Sequence, residues 1–135
     1  MRLIYIMLII GTALILYLSW QPNYHFKHIW FIPGWVSRWT DVHAHGNIRT
    51  AIPFVFMGLV AGFLPTSTPR SLSNWLVLWL ILIGIVTLAE IGQLLIPSRY
   101  PSFEDIGWGS VGAFVGLITA FIMLSGIRKL KSLNR

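Results

Sequence analysis

The sequence predicts an all-α, polytopic membrane protein with about four transmembrane helices and an interfacial first loop. Three observations carry this. Apolar residues make up 56% of the 135 positions and charged residues only 10%, whereas a soluble domain dresses its surface with roughly a quarter charged residues. Mean hydropathy is +0.73. The apolar residues also gather into runs near the ~20-residue length that crosses a bilayer. A chain of 135 residues accommodates a single domain, 1–135.

Residues 3–20 form the first run. It follows Arg2 and carries no charge. Its apolar core exceeds that of a signal peptide and no small-x-small cleavage site follows, so it reads as a retained anchor. Residues 50–64 form a short second run that contains Pro53. Its Gly58 and Gly62 have the small-xxx-small spacing that lets helix backbones approach closely. Residues 75–96 form the third, interrupted by Glu90 and Gln93, and 106–127 the fourth. In the fourth, Gly109, Gly112 and Gly116 fall on one side and predict a tight packing stripe.

The connections fit these spans. Segments 65–74 and 97–105 bear prolines and polar residues. Segment 21–49 is longer and holds Tyr24, Trp30, Phe31, Trp35 and Trp39, an aromatic set suited to the headgroup zone. Part of it is expected to lie on the membrane.

The net charge of +6 does not imply nucleic acid, because Arg128, Lys129, Lys131 and Arg135 directly follow the last apolar run. Anionic lipid attracts such a tail, and the positive-inside rule assigns it to the cytoplasm. Four spans then bring the N-terminus to the same side and leave segments 21–49 and 97–105 outside. The expected location is a bacterial cytoplasmic membrane. With no cysteine, disulfides and thiolate chemistry are excluded.

The chain's carboxylates (Asp41, Glu90, Glu104, Asp105) and its histidines (His25, His28, His43, His45) all fall on or near that outer face. Glu90 is the sharpest position, since a charge within an apolar span costs a few kcal/mol. Placed about two turns before Pro97, it is expected roughly 10 Å below the helix end, with Gln93 and Pro97 on its face. Arg99, folding back, and Arg49 are candidate partners. Two readings stand: a general acid/base or polar ligand, and a Glu–Arg pair that fixes helix register. Asp41 is positioned to orient His45 as a base, though a solvated turn explains the same residues. His43 and His45 lack a third ligand, so no metal and no cofactor are expected. Glu104 and Asp105 open the fourth span, where first-turn acids complement the helix dipole.

The ordered set Glu90-x-x-Gln93-x-x-x-Pro97-x-Arg99, then Asp105, Gly112 and Gly116, resembles the signature of the VanZ-like family of bacterial membrane proteins. Asp41 and His45 match its first-loop element, and Asn47 and Pro53 match residues at the start of the next span. The likeness covers residues 39–117. Val42 stands where the family often has Lys, and Gly109 where it commonly has Asn.

The resemblance implies a cell-envelope protein linked to teicoplanin-type antibiotic resistance. It further implies a polar site of Glu90, Gln93, Arg99 and Asp105, joined by Asp41 and His45; Arg49 is added to these as the candidate partner at the start of the second run. Three functions compete. One is binding of a lipid or glycan headgroup, or of a glycopeptide-related ligand. Another is an intramembrane enzyme acting on lipid-linked precursors, with Glu90 or Asp41–His45 as base. The third is a structural or assembly subunit, with a membrane-protein partner or a second copy. Membrane lipids are expected partners and nucleic acid is not.

Overall fold

The computed structural model describes residues 2–23, 25–42, 46–66 and 69–133. Its elements are α1 (Arg2–Ser19), a 3-10 turn (Phe26–His28), α2 (Gly34–Thr40), α3 (Gly46–Gly62), α4 (Leu72–Gln93) and α5 (Phe103–Leu133). The described residues are thus all helix and connection. α1, α4 and α5 are each long and apolar enough to cross a membrane. The remaining expected span, 50–64, corresponds to α3. Its 17 residues reach only roughly 25 Å at the α-helical rise, less than the ~30 Å hydrocarbon core.

α4 and α5 each begin three residues before their apolar runs, and α1 one residue before. Hydropathy marks the apolar stretch, whereas capping marks the helix. At α4, the Ser71 side chain accepts a hydrogen bond from the Asn74 amide at 3.4 Å, which recruits Leu72, Ser73 and Asn74 into the first turn. At the other end α4 stops at Gln93, ahead of Pro97, which has no N–H to donate to the Gln93 carbonyl and restricts Ile96 before it. Two expectations change with it. Pro97 does not share a face with Glu90, and Glu90 lies in the last turn rather than roughly 10 Å inside. α5 likewise starts at Phe103 and takes Glu104 and Asp105 into its first turn. It continues as helix through Arg128, Lys129 and Lys131.

The core is a seam of small residues between α3 and α5. Phe54, Met57 and Ala61 of α3 are buried against Ala113, Leu117 and Ala120 of α5, at the spacing of one helix face. The glycines set the distance. A Cβ added at Gly112 would collide with the Ala51 carbonyl oxygen, at Gly116 with that of Val55, and at Gly58 with that of Ala113. Backbone therefore touches backbone along the seam, which no larger residue permits.

α4 covers this pair with Leu82 and Val86. The Trp79 indole N–H donates to the Ser110 carbonyl at 2.9 Å, tying α4 to α5. α1 is peripheral and buries no residue fully; Leu8 and Ile15 reach the core. At the opposite end from Glu90, Arg70 lies over the Trp75 ring at 5.1 Å. Its guanidinium donates to the carbonyls of Gly62 and Leu64, closing the C-terminus of α3 where a cation suits the dipole.

Gly116→Leu is expected to destabilise the bundle by about 1–3 kcal/mol through overpacking, read as a lower melting midpoint in detergent. Gly84→Leu, where an added Cβ meets nothing within 4 Å, should leave the midpoint unchanged.

Candidate functional site

Glu90 and Gln93 are three residues apart in the last turn of α4 and are 4% and 5% exposed. Buried carboxylates and amides demand partners, and these come from distant segments. One Glu90 oxygen, Oε2, accepts the Ser102 backbone amide at 2.9 Å. Ser102 immediately precedes α5, so this carboxylate satisfies a donor at the helix start and sits at the positive end of the dipole. The other, Oε1, faces Gln93 Nε2 at 3.5 Å. That nitrogen also donates to Ser19 Oγ at 2.8 Å, joining α4 to the end of α1. The Trp20 indole N–H donates to the Ala89 carbonyl at 3.1 Å, and its ring lies where any Cβ on Gly92 would stand.

Arg99 folds back from the α4–α5 connection, and its Nη2 donates to the Ser19 carbonyl at 3.3 Å. Its Nε is buried and has no hydrogen-bond partner among the described residues. A Glu90–Arg99 ion pair, one of the two readings of Glu90, does not form within 4 Å. Glu90 is held by an amide and a carboxamide, while Arg99 turns to a carbonyl. Burial, then repulsion from Arg49, pull the Arg99 pKa below its ordinary value, and Glu90 and Asp105 oppose this. The guanidinium stays protonated, as arginine does in proteins.

Asp105 in the first turn of α5 meets the Thr50 hydroxyl of α3, across the end of the glycine seam. Arg49, one residue earlier, lies over the Phe26 ring at 5.0 Å.

These side chains share a cavity of about 860 Å³, to which Glu90, Gln93, Arg99, Asp105, Arg49 and Ser19 contribute its polar side. That volume is within the usual ~300–1,000 Å³ range for small-molecule sites. The remaining walls are apolar and aromatic. Ile15 and Leu18 come from α1, Ile52, Phe54 and Phe56 from α3, and Phe31, Trp35 and Trp39 from the first loop. Of these, Phe31, Trp35, Trp39, Ile52 and Phe56 are also exposed. The rim is therefore apolar and opens on the flank of the bundle. Trp30, Trp35 and Phe31 stand outward beside it, consistent with an aromatic segment suited to a headgroup zone.

The structure thus brings together Glu90, Gln93, Arg99, Asp105 and Arg49, but not Asp41. Asp41 instead accepts the amides of Phe26 and Lys27 at 2.8 and 3.3 Å and lies 3.8 Å from His25 Nδ1. It braces the 3-10 turn that carries Phe26 to the cavity. His45, its expected partner, lies outside the described residues, as does His43. Ser19, Thr50 and the Ser102 amide escaped the sequence reading. Ser19 ends a charge-free run, where a serine is unremarkable, and an amide has no sequence signature.

No family model matches the chain, and no curated protein or solved structure is significantly similar to it.

Glu90→Gln should cost about 1–3 kcal/mol by weakening the charge-assisted bond to Ser102, measured by unfolding in detergent. Asp41→Ala should speed hydrogen exchange at the Phe26 and Lys27 amides and leave the helical bundle's exchange unchanged.

Proposed function

We propose that the chain is a VanZ-like envelope protein of the bacterial cytoplasmic membrane that binds the polar head of an amphiphilic envelope ligand. One observation carries the reading. Charged and amide side chains from α3, α4, α5 and the α4–α5 connection meet on one side of a cavity whose other walls and rim are apolar. A wholly polar ligand would waste those walls, and a hydrocarbon would strand the charges. A molecule with a polar head and an apolar body satisfies both.

In this reading α3 is a fourth crossing, shorter than its neighbours. The termini lie in the cytoplasm, and the cavity opens at the outer boundary, where lipid-linked glycans and phospholipid heads reside. The VanZ-like signature supports the assignment through Glu90, Gln93, Arg99 and Asp105. Gly109 departs from the signature for a visible reason: a Cβ there would lie 2.7 Å from Val86 Cγ2, so the asparagine common in the family has no room.

A second reading has its own support. The Glu90–Ser102 and Gln93–Ser19 bonds join three helix ends, which suits a purely architectural role in a larger assembly. Single substitutions separate the two. Arg99→Ala is expected to abolish any protection against teicoplanin-type glycopeptides while membrane abundance, measured by quantitative blot, holds. Loss of abundance in parallel favours architecture. Because the chain has no cysteine, single cysteines at Ser98 and Ser132 report topology directly. An impermeant maleimide added outside should label the first and not the second.

A further inference from the structure

Two arginines from different segments line the same cavity, and they bear on the chemistry of the head. We propose that the cavity takes a phosphate-ester amphiphile drawn from the bilayer, its phosphate between Arg49 and Arg99 and its chain leaving across Ile52 and Phe56. This rests on the headgroup-site reading above.

Four features converge on it. First, Arg99 Nε is buried without an acceptor among the described residues, and a buried cationic donor left unmatched is costly. Second, the nearby carboxylates do not supply that acceptor. Glu90 is engaged by the Ser102 amide and Gln93, and Asp105 meets Thr50. Third, Arg49 and Arg99 approach the same space from different walls, α3 and the α4–α5 connection, and repel each other. An anion between them removes the repulsion. A carboxylate presents one edge to one planar fork, whereas a tetrahedral phosphate presents oxygens in several directions and is suited to two. Asp105, also on the cavity wall, is the carboxylate that a headgroup's hydroxyl or ammonium donors would meet. Fourth, Ile52 and Phe56 are four residues apart on α3, both exposed and both on the cavity wall. They form an apolar track from the arginines to the flank of the bundle, which a diacyl or polyprenyl chain would follow and free phosphate would not need.

The test uses the full chain, purified in detergent and stripped of lipid, with native mass spectrometry as readout. A short-chain phosphatidylglycerol is titrated against a glucosyl-diacylglycerol with the same chains, and against inorganic phosphate. Wild type is expected to prefer the phospholipid by about tenfold or more, and inorganic phosphate at the same concentration should not displace it. Arg99→Gln should reduce the preference to within about twofold, with Arg99→Lys between the two, while Arg38→Gln leaves it intact. Should Arg99→Gln fail to fold, Arg49→Gln is read in its place.

Equal binding of the neutral glycolipid, or a preference that survives both arginine substitutions, overturns the phosphate assignment and leaves a headgroup site standing. Displacement by inorganic phosphate, with no dependence on chain length, transfers the site to free phosphate and overturns the lipid half. If neither amphiphile binds, the headgroup-site reading falls as well.

Discussion

The closeness of α3 and α5 governs the rest of the structure. Gly58 on one helix and Gly112 and Gly116 on the other let main chains meet, and that contact fixes the registers of both helices. Thr50 consequently reaches Asp105, and the start of α5 comes to the end of α4, where Glu90 receives the Ser102 amide. Without the seam, Arg49, Glu90 and Asp105 would belong to separate helix ends. Association of helices in lipid gains little from the hydrophobic effect, so shape and hydrogen bonding must position the polar groups, and both do so here.

The polar groups follow a consistent division of labour. Glu90 and Gln93 are spent largely on the protein itself, closing the ends of α5 and α1. Arg99 spends a single bond on Ser19 and retains a buried N–H. Carboxylates satisfied internally, beside an Arg99 guanidinium with an N–H left over, are what the proposed anion would exploit, even though both signs line the site. Asp41 is further out and belongs to the support of the first loop, holding the turn that places Phe26 beneath Arg49.

Much of this was legible in the sequence, and the boundary is physical. Hydropathy located all the long helices. The small-residue spacing located the seam at Gly58, Gly112 and Gly116, because period and size are local properties. Glu90, Gln93, Arg99 and Asp105 stood out as polar groups in or beside apolar runs. The pairings were not legible. The helix boundaries differ from the apolar runs by one to six residues, and the end of α4 at Gln93 takes Pro97 off the face of Glu90. The Glu90–Arg99 pair, one of two readings of Glu90, gave way to a backbone amide, a donor that every residue but proline carries and that no composition reveals. Ser19 became important only because α1 lies beside α4, a fact of tertiary packing.

The short α3 explains why a cavity exists at all. Its ~25 Å reach is about 8 Å less than that of the 22-residue α4. Where α3 begins, α1 and the end of α4 need another neighbour. The 3-10 turn, α2 and the connection between them fill that place incompletely, supplying Phe26, Phe31 and Trp35 to one wall. A longer α3 would pack its outer turns against Ser19 and Gln93 and squeeze out the space. Pro53 favours the opposite outcome, since it removes an intrahelical N–H from the first turns of α3 and itself lines the opening. The polar pocket is thus a product of unequal helix lengths: a tight glycine seam holds the bundle, and the deficit at one end leaves room for a guest.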